Sequence, residues 1–303
     1  MNKVLIVSRQ HKVYRELLAQ AALPDLEVTD DPHHANIILA DPPRIADQLD
    51  CYPQLQWLQS TFAGVDALTT EQQRRDYQLT NVRGYFGQLI SEYVLGFVID
   101  RFRHISHYQQ LNQAKQWQPQ PYRALSKLTM VILGTGSIGS HLARSCRALG
   151  FKVVGVNRHG QMPDPAFHRC YRDQELEQAL AQADVVVSTL PATTATDDIL
   201  NATSLSHCQG ALLFNVGRGN AVCEQGLLTA IDSGHIAHAY LDVFKQEPLP
   251  AEHPFWENEH ITITPHIAAE SFPEQVMTIF SHNYRRFHQQ QPLDYVVDFE
   301  QGY

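Results

Sequence analysis

What the sequence lacks narrows the field first. Its five cysteines, at 51, 146, 170, 208 and 223, form no CxxC pair and are odd in number. That fits reduced thiols in a cytoplasmic protein better than a disulfide framework. Sixteen histidines are present, yet none falls in HExxH or in a Cys/His cluster, so no metal site is indicated. No apolar run approaches the roughly 20 residues that span a bilayer. The first residues, MNKVLIVSRQ, hold too short an apolar stretch for a signal peptide and read as a buried strand. The net charge is −9 with no basic run, which argues against nucleic acid and anionic membranes as partners.

What is present is an ordinary globular balance. The chain has 303 residues, 44% hydrophobic and 18% charged, enough for about two domains. No repeat of fixed period is visible. Apolar runs alternate with helical segments, which predicts an α/β protein. Strands are expected at 4–7, 37–40 and 57–60, with a helix at 14–21. One long helix is expected over SEYVLGFVIDRFRHISHYQQLNQ (91–113). The Gln/Pro-rich stretch after it, 114–127, reads as a boundary or an interface arm.

The second half opens with LTMVILGTGSIGSHLARSCRALGFKVVGVNRHG. Residues 128–133 form an apolar run of the kind buried on both faces of a parallel sheet. Ile138, Leu142, Cys146 and Leu149 recur at helical spacing, and Gly150 stops that helix. Residues 151–156 read as a second strand. GTGSIG therefore lies between strand and helix of a βαβ unit, the context that lifts GxGxxG above an ordinary glycine turn. Gly134 permits a tight turn, Gly136 a close approach to a pyrophosphate, and Gly139 close packing of helix on strand. The amides of the first turn, at Ser137 and Ile138, then face the phosphates.

A protein that selects NAD usually ends its second strand with Asp or Glu, which holds the ribose 2′-hydroxyl. Here the strand ends Asn157, Arg158, His159, with no acid. A guanidinium would hold a 2′-phosphate that a carboxylate would repel. The expectation is NADP(H) in preference to NAD(H), with Arg158 the main contact and Asn157 assisting.

Four further apolar runs, 183–191, 211–219, 238–244 and 260–268, each end in a polar or glycine-containing turn. Open parallel sheets bind ligands beyond the carboxyl ends of their strands. Gly134, Asn157, Leu190, Arg218, Asp242 and His266 should therefore reach one crevice edge. Arg218, a planar donor on a flexible, glycine-flanked turn, suits a carboxylate and a neighbouring carbonyl oxygen. His266 can donate a proton near neutral pH, and Glu247 beside it would favour the imidazolium. Together they describe a carbonyl-reducing site.

On these residues the chain resembles the D-isomer-specific 2-hydroxyacid dehydrogenase family. The matching segments are STFAGVD (60–66), ILGTGSIG (132–139), NVGRG (215–219), LDVF (241–244), EPLP (247–250) and TPHIA (264–268). Within the family the pattern is most similar to the bacterial glyoxylate/hydroxypyruvate reductases of the A type. FGQLISEYVLG (86–96), the acid-free NRH tip and the C-terminal GY carry that likeness.

The resemblance implies two α/β lobes: a Rossmann domain with a doubly wound parallel sheet, and a smaller flavodoxin-like substrate domain. The substrate domain would comprise 1–98 and 275–303, and the dinucleotide-binding domain, with a dimerisation arm, 99–274. Arg218, Glu247 and His266 would be catalytic. The amides of Ala63 and Gly64 would bind the substrate carboxylate with Arg218. Leu190, Pro191, Val216, Asp242 and His266 would join the glycine loop around the cofactor, Asp242 at the nicotinamide carboxamide. The 91–113 helix and its arm would form a homodimer interface.

The activity implied is NADPH-dependent reduction of a small 2-oxo acid, such as glyoxylate or hydroxypyruvate, to the D-2-hydroxy acid. Two alternatives stay open: a non-catalytic dinucleotide-sensing interaction protein of the same fold, and a dehydrogenase for a bulkier 2-hydroxy acid. Asp197 and Asp198 depart from the family, which often carries basic or neutral residues there. Trp57, Tyr85 and Phe86 either line the pocket or fill the core, the commoner role of aromatics.

Overall fold

The computed structural model describes residues 1–300 and 302; Tyr303, part of the C-terminal GY, lies outside the described residues, as does Gln301. The chain divides into two compact units, Met1–Tyr85 with Glu270–Tyr303, and Phe86–Ala269.

The first unit is built on β1 (Asn2–Val7), β2 (Leu26–Val28), β3 (Ile37–Ala40), β4 (Trp57–Ser60) and β5 (Gln78–Thr80). All neighbours pair in parallel, in the order β2-β1-β3-β4-β5, the flavodoxin-like arrangement. Ile38, Ala40, Leu58 and Leu79 bury one face against Ile45, Leu49, Tyr52 and Leu55. Trp57 points the opposite way, as strand alternation requires. It is fully buried, stacks on Phe280 with ring centroids 5.0 Å apart, and donates its indole N–H to Thr80 Oγ1 at 2.8 Å. Trp57 is thus a core residue of this unit. Phe280 comes from the helix Pro273–His288, whose buried stripe includes Val276, Met277, Phe280 and Tyr284.

The second unit holds β6 (Thr129–Leu133), β7 (Lys152–Asn157), β8 (Arg169–Arg172), β9 (Val185–Ser188), β10 (Ala211–Asn215), β11 (Ile236–Leu241) and β12 (Ile261–Ile263). The order is β12-β11-β10-β9-β6-β7-β8, all parallel. Successive side chains enter different cores, which is why these strands read as unbroken apolar runs. Val131, Leu133, Val154 and Val186 meet Leu176, Leu180, Leu227 and Ile231 on one face. Met130, Ile132, Val153 and Val187 meet Ile90, Val94, Leu142 and Cys146 on the other. The chain runs outward through β7 and β8, then returns to place β9 on the free side of β6. The glycine loop after β6 therefore lies at the switch point of a doubly wound sheet.

Several expectations are corrected. The single helix over 91–113 is two, Phe86–Arg103 and Ile105–Gln113, broken where His104 takes a left-handed conformation at φ 57°. Asp100 fixes the break by accepting from the Ser106 amide at 2.7 Å and its hydroxyl at 2.8 Å. Residues 86–98, assigned by resemblance to the first lobe, form most of the first helix, and its Ile90, Val94 and Val98 pack in the second unit's core. Residues 270–274 likewise fall in the first unit. Leu149, expected on the buried stripe, is the C-cap of Ser137–Ala148 and is 43% exposed. Strands β2, β5 and β8 are short and polar (LEV, QLT, RCYR) and give no apolar signal.

Phe280→Ala removes a fully buried ring from the Trp57 stack. The expected cost is about 3–5 kcal/mol, read as a lower urea midpoint for the first unit by Trp fluorescence. An unchanged midpoint would contradict the packing described.

Candidate active site

The carboxyl ends of β6, β7, β9, β10, β11 and β12 carry Gly134, Asn157, Leu190, Arg218, Asp242 and His266 along one edge of one parallel sheet.

At β6 the turn is tight. Gly134 adopts φ +90°, and a Cβ on it would come within 2.7 Å of Thr189 Oγ1. A Cβ on Gly139 would run into the Gly134 carbonyl oxygen, so this helix can reach its strand only without a side chain here. Around Gly136 the situation is reversed, with nothing within 4 Å of a built Cβ. Gly136 is the N-cap of Ser137–Ala148 and offers no side chain to its first-turn amides. An open, uncapped helix start is the cradle a pyrophosphate requires. The residues present thus fit a bound dinucleotide.

The β7 tip is organised by Asn157. Its Nδ2 donates to Thr135 Oγ1 and to the Gln161 carbonyl, both at 2.8 Å, and its Oδ1 accepts from the His159 amide at 3.1 Å. The Gln161 carbonyl can only accept, which fixes which end is nitrogen. Asn157 therefore braces the loop, while Arg158 is exposed beside it. Leu190 and Pro191 follow β9, and Val216, 8% exposed, follows β10.

Arg218 sits on the turn after β10, where Asn215 Nδ2 donates to its carbonyl at 2.9 Å. The flanking glycines, expected from the sequence to make this turn flexible, are packed instead. Both are buried, and a side chain on Gly219 would overlap the Phe244 backbone. They serve close packing instead.

His266 Nδ1 lies 2.7 Å from Glu247 Oε2, and Glu247 Oε1 accepts from the Phe244 amide at 2.9 Å. The imidazole is half exposed. Its pKa is raised above the ordinary value of 6.5, mainly by the bond to Glu247, with the Arg218 charge opposing. Burial alone would push Glu247 up, but the bonds from His266 and Phe244 and the charge of Arg218 leave it below its usual value. The charge of Arg218 acts on both groups, so the three residues form one electrostatic cluster. A guanidinium beside a proton-bearing imidazole can bind an anionic ketone and protonate its oxygen.

Asp242 is 2% exposed, and its carboxylate is occupied by the following turn. Oδ1 accepts from Thr264 Oγ1 at 2.6 Å and the Ile267 amide at 2.8 Å, and Oδ2 from the Ala268 amide at 2.9 Å. Asp197 and Asp198, unexplained in the sequence, tie loops together. Asp198 pairs with Lys245 at 2.6 Å, and Asp197 accepts from Asn220 at 2.5 Å. In the first unit, Ala63 and Gly64 lie on the turn after β4. Asn81 donates to the Ala63 carbonyl at 2.8 Å, and Val82 to the Phe62 carbonyl at 3.1 Å. Sequence reasoning missed Thr135, Thr189, Thr264 and Tyr93, which hold these loops. Their partners are distant in sequence and leave no periodic trace.

A family model described as "D-isomer specific 2-hydroxyacid dehydrogenase, NAD binding domain" matches residues 95–268. The chain belongs to the D-isomer specific 2-hydroxyacid dehydrogenase family. Among its relatives, glyoxylate/hydroxypyruvate reductase A of Serratia proteamaculans (strain 568) is 35% identical over 252 residues, 80% of this chain and 79% of the relative. A family protein from Aeromonas salmonicida subsp. salmonicida A449 has a similar solved structure: TM-score 0.92, 45% identity, covering 98% of this chain and 99% of that one. The NADPH-dependent glyoxylate/hydroxypyruvate reductase of Sinorhizobium meliloti, solved with NADP and sulfate, has TM-score 0.90 at 28% identity, with all of both chains covered.

Glu247→Gln removes the charge that holds the proton on His266. Because the folded pKa is raised, the charged pair is present at low pH and lost as pH climbs through it. An NMR titration of the His266 ring should show its midpoint falling toward the ordinary 6.5. A midpoint that stays put would remove Glu247 from the site.

Proposed function

We propose that this protein is an NADPH-dependent reductase that converts small 2-oxo acids, glyoxylate and hydroxypyruvate among them, to D-2-hydroxy acids. The observation that carries the reading is the cluster of Arg218, Glu247 and His266 on the sheet edge that also bears an uncapped glycine loop. Relatives named as glyoxylate/hydroxypyruvate reductases, and a similar structure solved with NADP, support the substrate and cofactor.

The loop residues Gly134, Gly136, Ser137, Ile138 and Gly139 would hold the pyrophosphate. Arg158 would hold the 2′-phosphate from a tip that Asn157 keeps in shape. Leu190, Pro191 and Val216 would flank the remaining length. Asp242 Oδ2, with one backbone partner, has acceptor capacity for the carboxamide. When bound, the reduced nicotinamide supplies hydride to the carbonyl carbon.

The chain's own groups do the rest. Arg218 grips the substrate carboxylate and polarises the carbonyl oxygen. His266 gives that oxygen a proton from Nε2, because Nδ1 is committed to Glu247. Glu247 holds the imidazole protonated and fixes its plane. The balance is 2-oxo acid plus NADPH plus a proton to 2-hydroxy acid plus NADP⁺.

We assign the protein to the cytoplasm on its five unbridged cysteines. We assign it a homodimeric state through the 91–113 segment and the 114–127 arm, where Trp117 is 96% exposed and Tyr122 57%.

Purified protein, NADPH and a panel of glyoxylate, hydroxypyruvate, pyruvate and bulkier 2-oxo acids test the reading by loss of nicotinamide absorbance. His266→Ala should lower kcat about 10²–10⁴-fold, the usual worth of a general acid, with NADPH affinity retained. Full turnover without the imidazole would refute the proton-donor role. Arg158→Ala should raise KM for NADPH about tenfold or more, the worth of a charged hydrogen bond, and hardly change KM for NADH. Equal effects on the two cofactors would withdraw Arg158 as the selectivity contact.

A further inference from the structure

Behind His266 runs a hydrogen-bond chain whose outer members, Tyr93 and Thr264, the reaction scheme does not use. Tyr93, on the helix Phe86–Arg103, places its hydroxyl 2.7 Å from Thr264 Oγ1, and Thr264 Oγ1 lies 2.6 Å from Asp242 Oδ1. The direction of each bond follows from chemistry. An ionised carboxylate only accepts, so the single Thr264 proton is committed to Asp242. Thr264 oxygen must then accept, and Tyr93 must donate. Burial pushes the Tyr93 phenol up to about 12, so it keeps that proton at every working pH.

The chain ends on the turn that carries His266. Asp242 gathers the amides of Ile267 and Ala268, and its own carbonyl accepts from the His266 amide at 2.9 Å. His266 adopts φ 54°, a left-handed conformation that a non-glycine residue keeps only when its surroundings over-determine it. Tyr93, Thr264 and Asp242 supply that determination from one side, and Glu247 from the other.

We propose that Tyr93 is a positioning residue for the proton donor: acting through Thr264 and Asp242, its hydroxyl holds the 264–268 turn so that His266 meets Glu247. This rests on the reading of His266 as the proton donor. The hydroxyl can be tested apart from the ring. Tyr93 packs edge-on against Phe97 at 5.0 Å, and Tyr93→Phe keeps that contact while deleting the bond. The charged groups acting on His266 are Glu247, Arg218 and Asp242, and none is altered.

The experiment uses the whole enzyme with Tyr93→Phe, Thr264→Val and Thr264→Ser. Tyr93→Phe should lower kcat for glyoxylate roughly fivefold, the size of one net hydrogen bond, with KM for NADPH unchanged. Thr264→Val should lose more and Thr264→Ser should recover most of the loss. The NMR titration midpoint of His266 should move down in Tyr93→Phe, because a loosened turn weakens the bond to Glu247. Wild-type kcat together with an unmoved midpoint overturns the proposal, as does a drop in Tm with both unmoved. The titration needs no substrate. Should the unsubstituted protein reduce none of the 2-oxo acids, the reductase reading falls, while a lowered midpoint still upholds the positioning role.

Discussion

A carboxylate removed from water has to be given donors, and Asp242 takes all of its own from the turn that carries His266. That demand shapes the site. The amides of Ile267 and Ala268 and the hydroxyl of Thr264 must converge on one group, so the backbone between them has little freedom. His266 is the residue caught in the middle, in a conformation its side chain would not choose. Its ring is thereby delivered to Glu247. Burial cost at one residue becomes orientation at another.

The cofactor side relies on the same economy. Short loops after parallel strands are cross-tied by small polar side chains. Asn157 reaches Thr135, Thr189 donates to the Gly134 carbonyl at 3.0 Å, and Asn215 braces the Arg218 turn. Lys245, two positions before Glu247, is tied to Asp198 in the loop beyond β9. Exposed ion pairs contribute little to stability, but here the pair joins the segment leading to Glu247 to a neighbouring loop. The acidic net charge of −9 hardly opposes anion binding across such a surface, since salt screens beyond about 8 Å.

Much of this was legible in the sequence because a buried parallel strand has to be apolar throughout. Residues 37–40 and 57–60 were placed to the residue. The apolar runs 128–133, 151–156, 211–219, 238–244 and 260–268, each ending in a polar or glycine-containing turn, put Arg218, Asp242 and His266 on a common edge. The polar edge strands β2, β5 and β8 were invisible; RCYR, for one, faces solvent in part and carries two arginines. The break at His104 was invisible too, because the Asp100 cap works through two hydrogen bonds and leaves the helical spacing intact on both sides. The unit boundary at Phe86 depends on which core Ile90 and Val94 enter, which an apolar residue does not announce. The Tyr93 hydroxyl belongs to the same class: its partner is 171 positions away.

The bracing of Asn157 bears on how this lineage could change its coenzyme. The simplest route, exchanging the amide for a carboxylate to welcome a bare ribose, would set an anion against the Gln161 carbonyl and forfeit the donor to Thr135. Acquiring the alternative selectivity would thus require rewriting the neighbouring positions together, because the single exchange leaves the β7 tip without its two braces.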